Sequence, residues 1–275
     1  MTINTKQRLN SSGFTIIEAV FIIVILVVIG LTGWLVWHSH QTKKTSSNNL
    51  TQTSSSTDLS SSKKVNFVTA APFDISQMQS VSKFRSCSGH DYSGLDIDGV
   101  SETNRSMKNY AVPLPVYNGT SDKVKVIAPF DATILNNSQG KMGDNLDLVP
   151  SKAPGYIYEL GHITSLKSLS KGSTVKSGQL IGYYTVESGG SAFDLQLWFG
   201  GTNQTVNTTS GEFDSLFAHL SPDLAKQLAT HGLTEEKLII SKAERDASPC
   251  VATGQSMGVN VYSSDPVKDY VNVTP

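Results

Sequence analysis

The sequence predicts a mainly β globular domain held behind one membrane-spanning helix, and three observations carry that expectation. An uncharged apolar run extends from Ala19 to Trp37, after which residues 41–64 collapse to Ser, Thr, Asn, Gln and Lys with only Leu50 and Leu59 apolar among the large residues. Beyond Val65, short β-branched and aromatic phrases alternate with turn clusters such as Tyr117-Asn-Gly-Thr and Asn136-Asn-Ser-Gln-Gly140, the pattern of a β domain rather than of helical periods. Residues 65–250 are long enough to enclose one substantial core.

The amino-terminal elements follow in order. Lys6 and Arg8 precede a polar stretch ending at Gly13, and Phe14-Thr-Ile-Ile-Glu18 opens the apolar run. As a helix, residues 14–40 span the roughly 30 Å hydrocarbon core. Lys6 and Arg8 are balanced by Lys43 and Lys44 on the far side, so charge alone leaves orientation open. Residues 41–64 cannot bury enough apolar surface to offset the entropy of ordering them and read as a flexible linker. Residues 1–13 together resemble a type IV prepilin leader. That resemblance implies cleavage after Gly13, methylation of the new amino-terminal Phe14, and a neighbour's α-amino group as the partner of Glu18. It also places the amino terminus in the cytoplasm and the globular part outside the cell. A pilin-like subunit is one reading of such a chain, although the Ser/Thr-rich linker interrupts the continuous helix that a fibre subunit needs.

Within the globular part, Gln179 to Val186 reads as a strand, and Glu187 to Ser191 as a glycine loop. Phe193-Asp-Leu-Gln-Leu197 then alternates apolar and polar, so Asp194 and Gln196 are expected on one face of a half-buried strand. Ser221-Pro-Asp opens a helix whose Leu224, Leu228 and Leu233 form the apolar face. A second helix, Thr234 to about Ala247, begins with Glu235 and Glu236 where the helix dipole favours them. The two are expected to make a helical hairpin over about 221–247. The tail, 251–275, holds one strand-like phrase, Gly258-Val-Asn-Val-Tyr262, and is otherwise expected to be mobile.

Gly172, Val175, Gly178, Gln179, Ile181 and Gly182, with Val126-Ile-Ala-Pro-Phe-Asp-Ala-Thr-Ile134 and Leu160-Gly-His-Ile-Thr-Ser-Leu166, resemble in family order the phrases of lysostaphin-type zinc endopeptidases of peptidoglycan. The resemblance implies a barrel-sandwich hybrid, or duplicated hybrid motif, β-barrel. It also marks what is missing. Where the family has a His-x-His strand this chain has Asp194 and Gln196, and an amide oxygen is a poor zinc donor. Gly89-His-Asp-Tyr-Ser-Gly-Leu-Asp96 is the nearest phrase to the family's His-x-x-x-Asp pair, with His90 two residues too far from Asp96. His162 stands where the family keeps a further catalytic histidine. One alternative is an active zinc hydrolase with an unusual ligand set, such as His90, Asp96 and Asp194, with His162 as base. The expectation is instead a catalytically inactive, endopeptidase-like domain without a cofactor, acting as a binding or scaffolding module on peptidoglycan or envelope proteins.

Cys87 and Cys250 lie near the two ends of the globular part, and export permits a disulfide between them. Arg85, His90, Asp91, Arg105 and Asn109 admit two readings, ligands for a polar polymer or hydrogen bonds that fasten a long irregular segment. The net charge of −1 and the lack of a basic run leave nucleic-acid binding unsupported.

Overall fold

The structure is a computed structural model, described over residues 65–140, 143–187, 191–200, 211–256 and 258–275. The expected leader, membrane helix and linker lie outside the described residues, and no helix within those residues is long and apolar enough to cross a membrane. The domain is mainly β. Its strands are β1 (Met78–Ser82), β2 (Leu95–Asp96), β3 (Asn109–Pro113), β4 (Val124–Ile127), β5 (Ala132–Ser138), β6 (Asp144–Pro150), β7 (Tyr156–Ser165), β8 (Thr174–Val175), β9 (Leu180–Tyr184), β10 (Phe193–Phe199) and β11 (Glu212–Asp214), followed late in the chain by β12 (Ala252–Ser256), β13 (Val259–Tyr262) and β14 (Tyr270–Asn272). One sheet runs in the order β14-β1-β3-β10-β7-β6-β5-β8, with β11 on β10, β2 on β11, and β4 joined through β9 to β7.

The long central pair β7 and β10 organises the sheet. Tyr156, Tyr158 and Leu160 of β7, and Phe193, Leu195, Leu197 and Phe199 of β10, enter the main core with Phe67, Phe73, Val126 and Phe130. Their alternation is the period of two that a strand imposes. The opposite face is also covered: Trp198 and Ile157 pack with Phe84, Met107, Val149 and Phe213 in a second apolar cluster. The strand expected to be half-buried is therefore buried on both faces, because the segment 84–107 and β11 fold back over it. Alternation within β10 could not reveal that cover, since the covering residues are distant in sequence.

In β7 the alternation breaks at a bulge. Asp144 pairs with Ile163 and Leu146 with Leu160, so two residues of β7, Gly161 and His162, face one residue of β6. His162 adopts φ 64°, which puts both Leu160 and Ile163 into the core and turns the imidazole the other way.

Two expectations about the carboxy-terminal part are corrected. The helix expected from Thr234 to about Ala247 is two helices. After α1 (Pro222–Thr230), α2 (Glu235–Leu238) stops where Ile239 bridges Phe84, and α3 (Lys242–Ala247) restarts behind its own cap, Ser241. Backbone bonds from Phe84 to Leu238 and from Ile240 to Phe84 replace the helical ladder there, and two consecutive β-branched residues suit that extended step. The tail is paired into the fold over more than the one expected strand: β14 adds to β1 at the sheet edge, and β12 and β13 form a hairpin. Asp269 is buried and accepts from the Cys87 amide at 2.8 Å and from Arg245 at 3.2 Å. The domain thus extends past residue 250, and Cys87 and Cys250 form a disulfide with Cα atoms 5.4 Å apart.

Candidate functional site

Asp194 and Gln196 project from β10 on the face opposite the main core, opposite Gly161 and Glu159 of β7. Tyr110 of β3 pairs with Asp194 on the other side, and Lys108, two residues before Tyr110, shares its face. Lys108 is only 3% exposed. Its ammonium donates to Asp194 Oδ2 at 2.5 Å and to His90 Nε2 at 3.3 Å, and lies 4.6 Å above the Tyr92 ring and 5.0 Å above that of Tyr110. Burial opposes the charge, but attraction to Asp194, joined by smaller contributions from the tyrosines, holds the ammonium above the ordinary lysine range.

The segment carrying His90 is fastened from several sides. Glu102, its side chain fully buried, accepts from Arg85 Nη2 at 2.8 Å and from Arg105 Nη1 at 2.5 Å. Arg105 also reaches Asp246 of α3 at 2.6 Å, and Arg245 Nε donates to the Arg85 carbonyl. Asn109 donates to the Ser82 carbonyl. Of the two readings of these polar residues, the contacts place Arg85, Arg105 and Asn109 in the fastening role. Beyond this anchor, His90 and Asp91 meet the late hairpin, with Asp91 donating its amide to Asn260 and Tyr262 donating to Gly89.

The expected site residues divide accordingly. His90, His162 and Asp194 line one cleft of about 650 Å3 with Tyr110, Tyr184 and Glu187. His162, its side chain 37% exposed, has Nε2 3.8 Å from Asp194 Oδ2. Gln196 is 2% exposed and lies beneath the cleft against the Tyr92 hydroxyl. Asp96 is elsewhere: its carboxylate accepts from the amides of Asp98 and Val100 and approaches Arg85 at 4.0 Å. Among the described residues no three His, Cys, Asp or Glu side chains are grouped to hold a metal ion. Asp194, the carboxylate that a metal would have to take in this arrangement, already holds an internal cation.

Lys108 and Glu159 escaped the sequence reading. Glu159 lies opposite both Gln196 and Asp147 across the strands. Burial, then the negative charge of Asp147, pushes its carboxyl up to about 7, against the opposing pull of Lys108. Burial raises Asp147 as well, against a hydrogen bond from Asn136. A readable signal for the bulge did exist, since Leu160 and Ile163 are spaced by three where a regular strand has two.

No protein-family model matches the chain, and no curated protein matches it significantly. Similar solved structures do exist. Csd3 of Helicobacter pylori is 15% identical with a TM-score of 0.32, over 56% of this chain and 39% of that one. The catalytic domain of the prophage-encoded M23 protein EnpA from Enterococcus faecalis is 16% identical with a TM-score of 0.29, over 49% of this chain and 93% of that one. Lysostaphin is 18% identical with a TM-score of 0.28, over 46% and 51% respectively. The chain thus spans well under half the length of Csd3 and about half that of lysostaphin. At these scores, the chemistry of the site rests on its own side chains.

Proposed function

We propose that the chain is a membrane-anchored envelope protein whose outer domain binds peptidoglycan or an envelope protein without cleaving it. One observation carries this reading: the Lys108 ammonium sits on Asp194, the carboxylate that would have to serve a metal. Hydrolysis at neutral pH needs a water activated by a Lewis acid or by a poised base with a nucleophile, and a carboxylate neutralised by a buried ammonium supplies neither. Gln196, buried under the cleft, offers no second donor to a metal. The phrases that resemble the endopeptidases, and the leader residues Gly13, Phe14 and Glu18, support an envelope location. What remains open to a ligand is the cleft, with the His162 imidazole, Tyr184 and Glu187 along it.

Cosedimentation of the full chain, in detergent, with purified peptidoglycan tests both halves of the proposal. The expected result is recovery of the protein in the pellet, weakened by His162→Ala, with no new amino termini released from the polymer. Release of new termini that stops on adding a chelator would sink the non-catalytic reading.

A further inference from the structure

The groups around Lys108 form a site with a definite chemical preference. A primary ammonium has three N–H bonds and no acceptor capacity. One N–H goes to Asp194 and one to His90. His90 is suited to receive it, because its Nδ1 faces the Asp91 carbonyl at 3.0 Å and must be the protonated nitrogen there, which leaves the Nε2 lone pair for Lys108. The faces of Tyr92 and Tyr110 complete the enclosure, at distances where ring quadrupoles attract a cation.

We propose that this is an ammonium cage of which Lys108 is the tethered ligand, and that the cage closes the cleft to divalent metals. The proposal rests on the non-catalytic reading above and deepens it by naming what occupies the strand's carboxylate. A transition metal needs three or four donors close to 2 Å, whereas two of the four walls here are tyrosine rings whose centroids lie 4.6 and 5.0 Å from the ammonium. A tethered amine meets those walls without loss. With Asp194 neutralised from inside, the cleft presents His162 and Glu187 to an incoming ligand rather than a bare cation-binding carboxylate.

The test removes the tether and supplies its ligand from solution. In the full chain in detergent, Lys108→Ala should melt several degrees lower than the native protein. Methylammonium or ethylammonium chloride should restore much of that loss, while tetramethylammonium, which has no N–H to donate, and zinc should not. Neither amine should move the native protein, and Lys108→Ala combined with Asp194→Ala should no longer respond to either. Stabilisation of Lys108→Ala by zinc, or indifference to every amine, would overturn the cage. Should Lys108→Ala fail to fold even with amine present, the native chain still decides the matter. A slowly exchanging lysine ammonium signal, shifted by ring currents and lost in Tyr92→Leu, is expected by nitrogen-detected NMR, and its absence would rule the cage out. Hydrolysis of peptidoglycan that a chelator leaves unchanged would contradict the non-catalytic reading alone, whereas failure of amine rescue would contradict the cage alone, so the two failures are distinguishable.

Discussion

At the residue scale, Glu159 and Asp194 make opposite demands on the same layer of the sheet. Glu159 faces Asp147 on β6 and Gln196 on β10, with Asp194 also raising its affinity for a proton and Lys108 lowering it. Its folded-state carboxyl stands at about 7 against an ordinary 4.5, so between those values the folded chain keeps a proton that the unfolded chain has lost. Its contribution to stability is therefore full in acid and declines as pH rises through about 7. Urea unfolding across that range should show Glu159→Gln with a flatter pH dependence than the native domain; an unchanged slope would mean that the group does not titrate there. Asp194 behaves in the other sense, as the required partner of a buried charge. Asp194→Asn leaves the Lys108 ammonium uncompensated and is expected to cost about 3–5 kcal/mol, with Lys108→Met added to it recovering part of the loss. Additive losses in that double-mutant cycle would argue that the pair is not coupled.

At the element scale, the bulge in β7 is the device that points His162 into the cleft. It depends on Gly143, which has φ 107° and whose backbone lies so near that an added Cβ would sit 2.7 Å from the His162 carbonyl carbon. Gly143→Ala meets both a strained dihedral and a backbone clash, so the bulge must shift. The expected loss is about 2 kcal/mol by chemical denaturation, together with a change in the His162 imidazole resonances. A destabilised variant with His162 resonances unmoved would separate the glycine from the aim of the histidine. The break between α2 and α3 obeys a similar logic: the Leu238 carbonyl and the Ile240 amide gain backbone partners in Phe84 that outweigh continuation of a short helix.

At the scale of the whole domain, the Cys87–Cys250 bond joins residues separated by 163 positions. In the loop-closure account such a bond constrains the unfolded chain by about 5 kcal/mol at most. It also ties the segment bearing His90 to the start of the β12–β13 hairpin, whose Ser256 and Val261 line the cleft. Reduction, or Cys87→Ser with Cys250→Ser, should lower the melting temperature and weaken ligand retention together. If ligand retention survives while stability falls, the bond serves the fold alone.

The sequence by itself determined the β class, the shared face of Asp194 and Gln196, and the residues available for a disulfide. Each of these depends on local period or on residue type, which neighbours along the chain suffice to express. Only the tertiary structure decided that Lys108, 86 positions before Asp194, would be that carboxylate's partner, that Asp96 would face away, and that β10 would be covered on both sides. Those outcomes depend on which strands become neighbours in the sheet and on how the segment 84–107 closes over them. A lysine that reads as solvated surface in sequence becomes a buried cation only when a distant strand brings it a carboxylate and two aromatic rings.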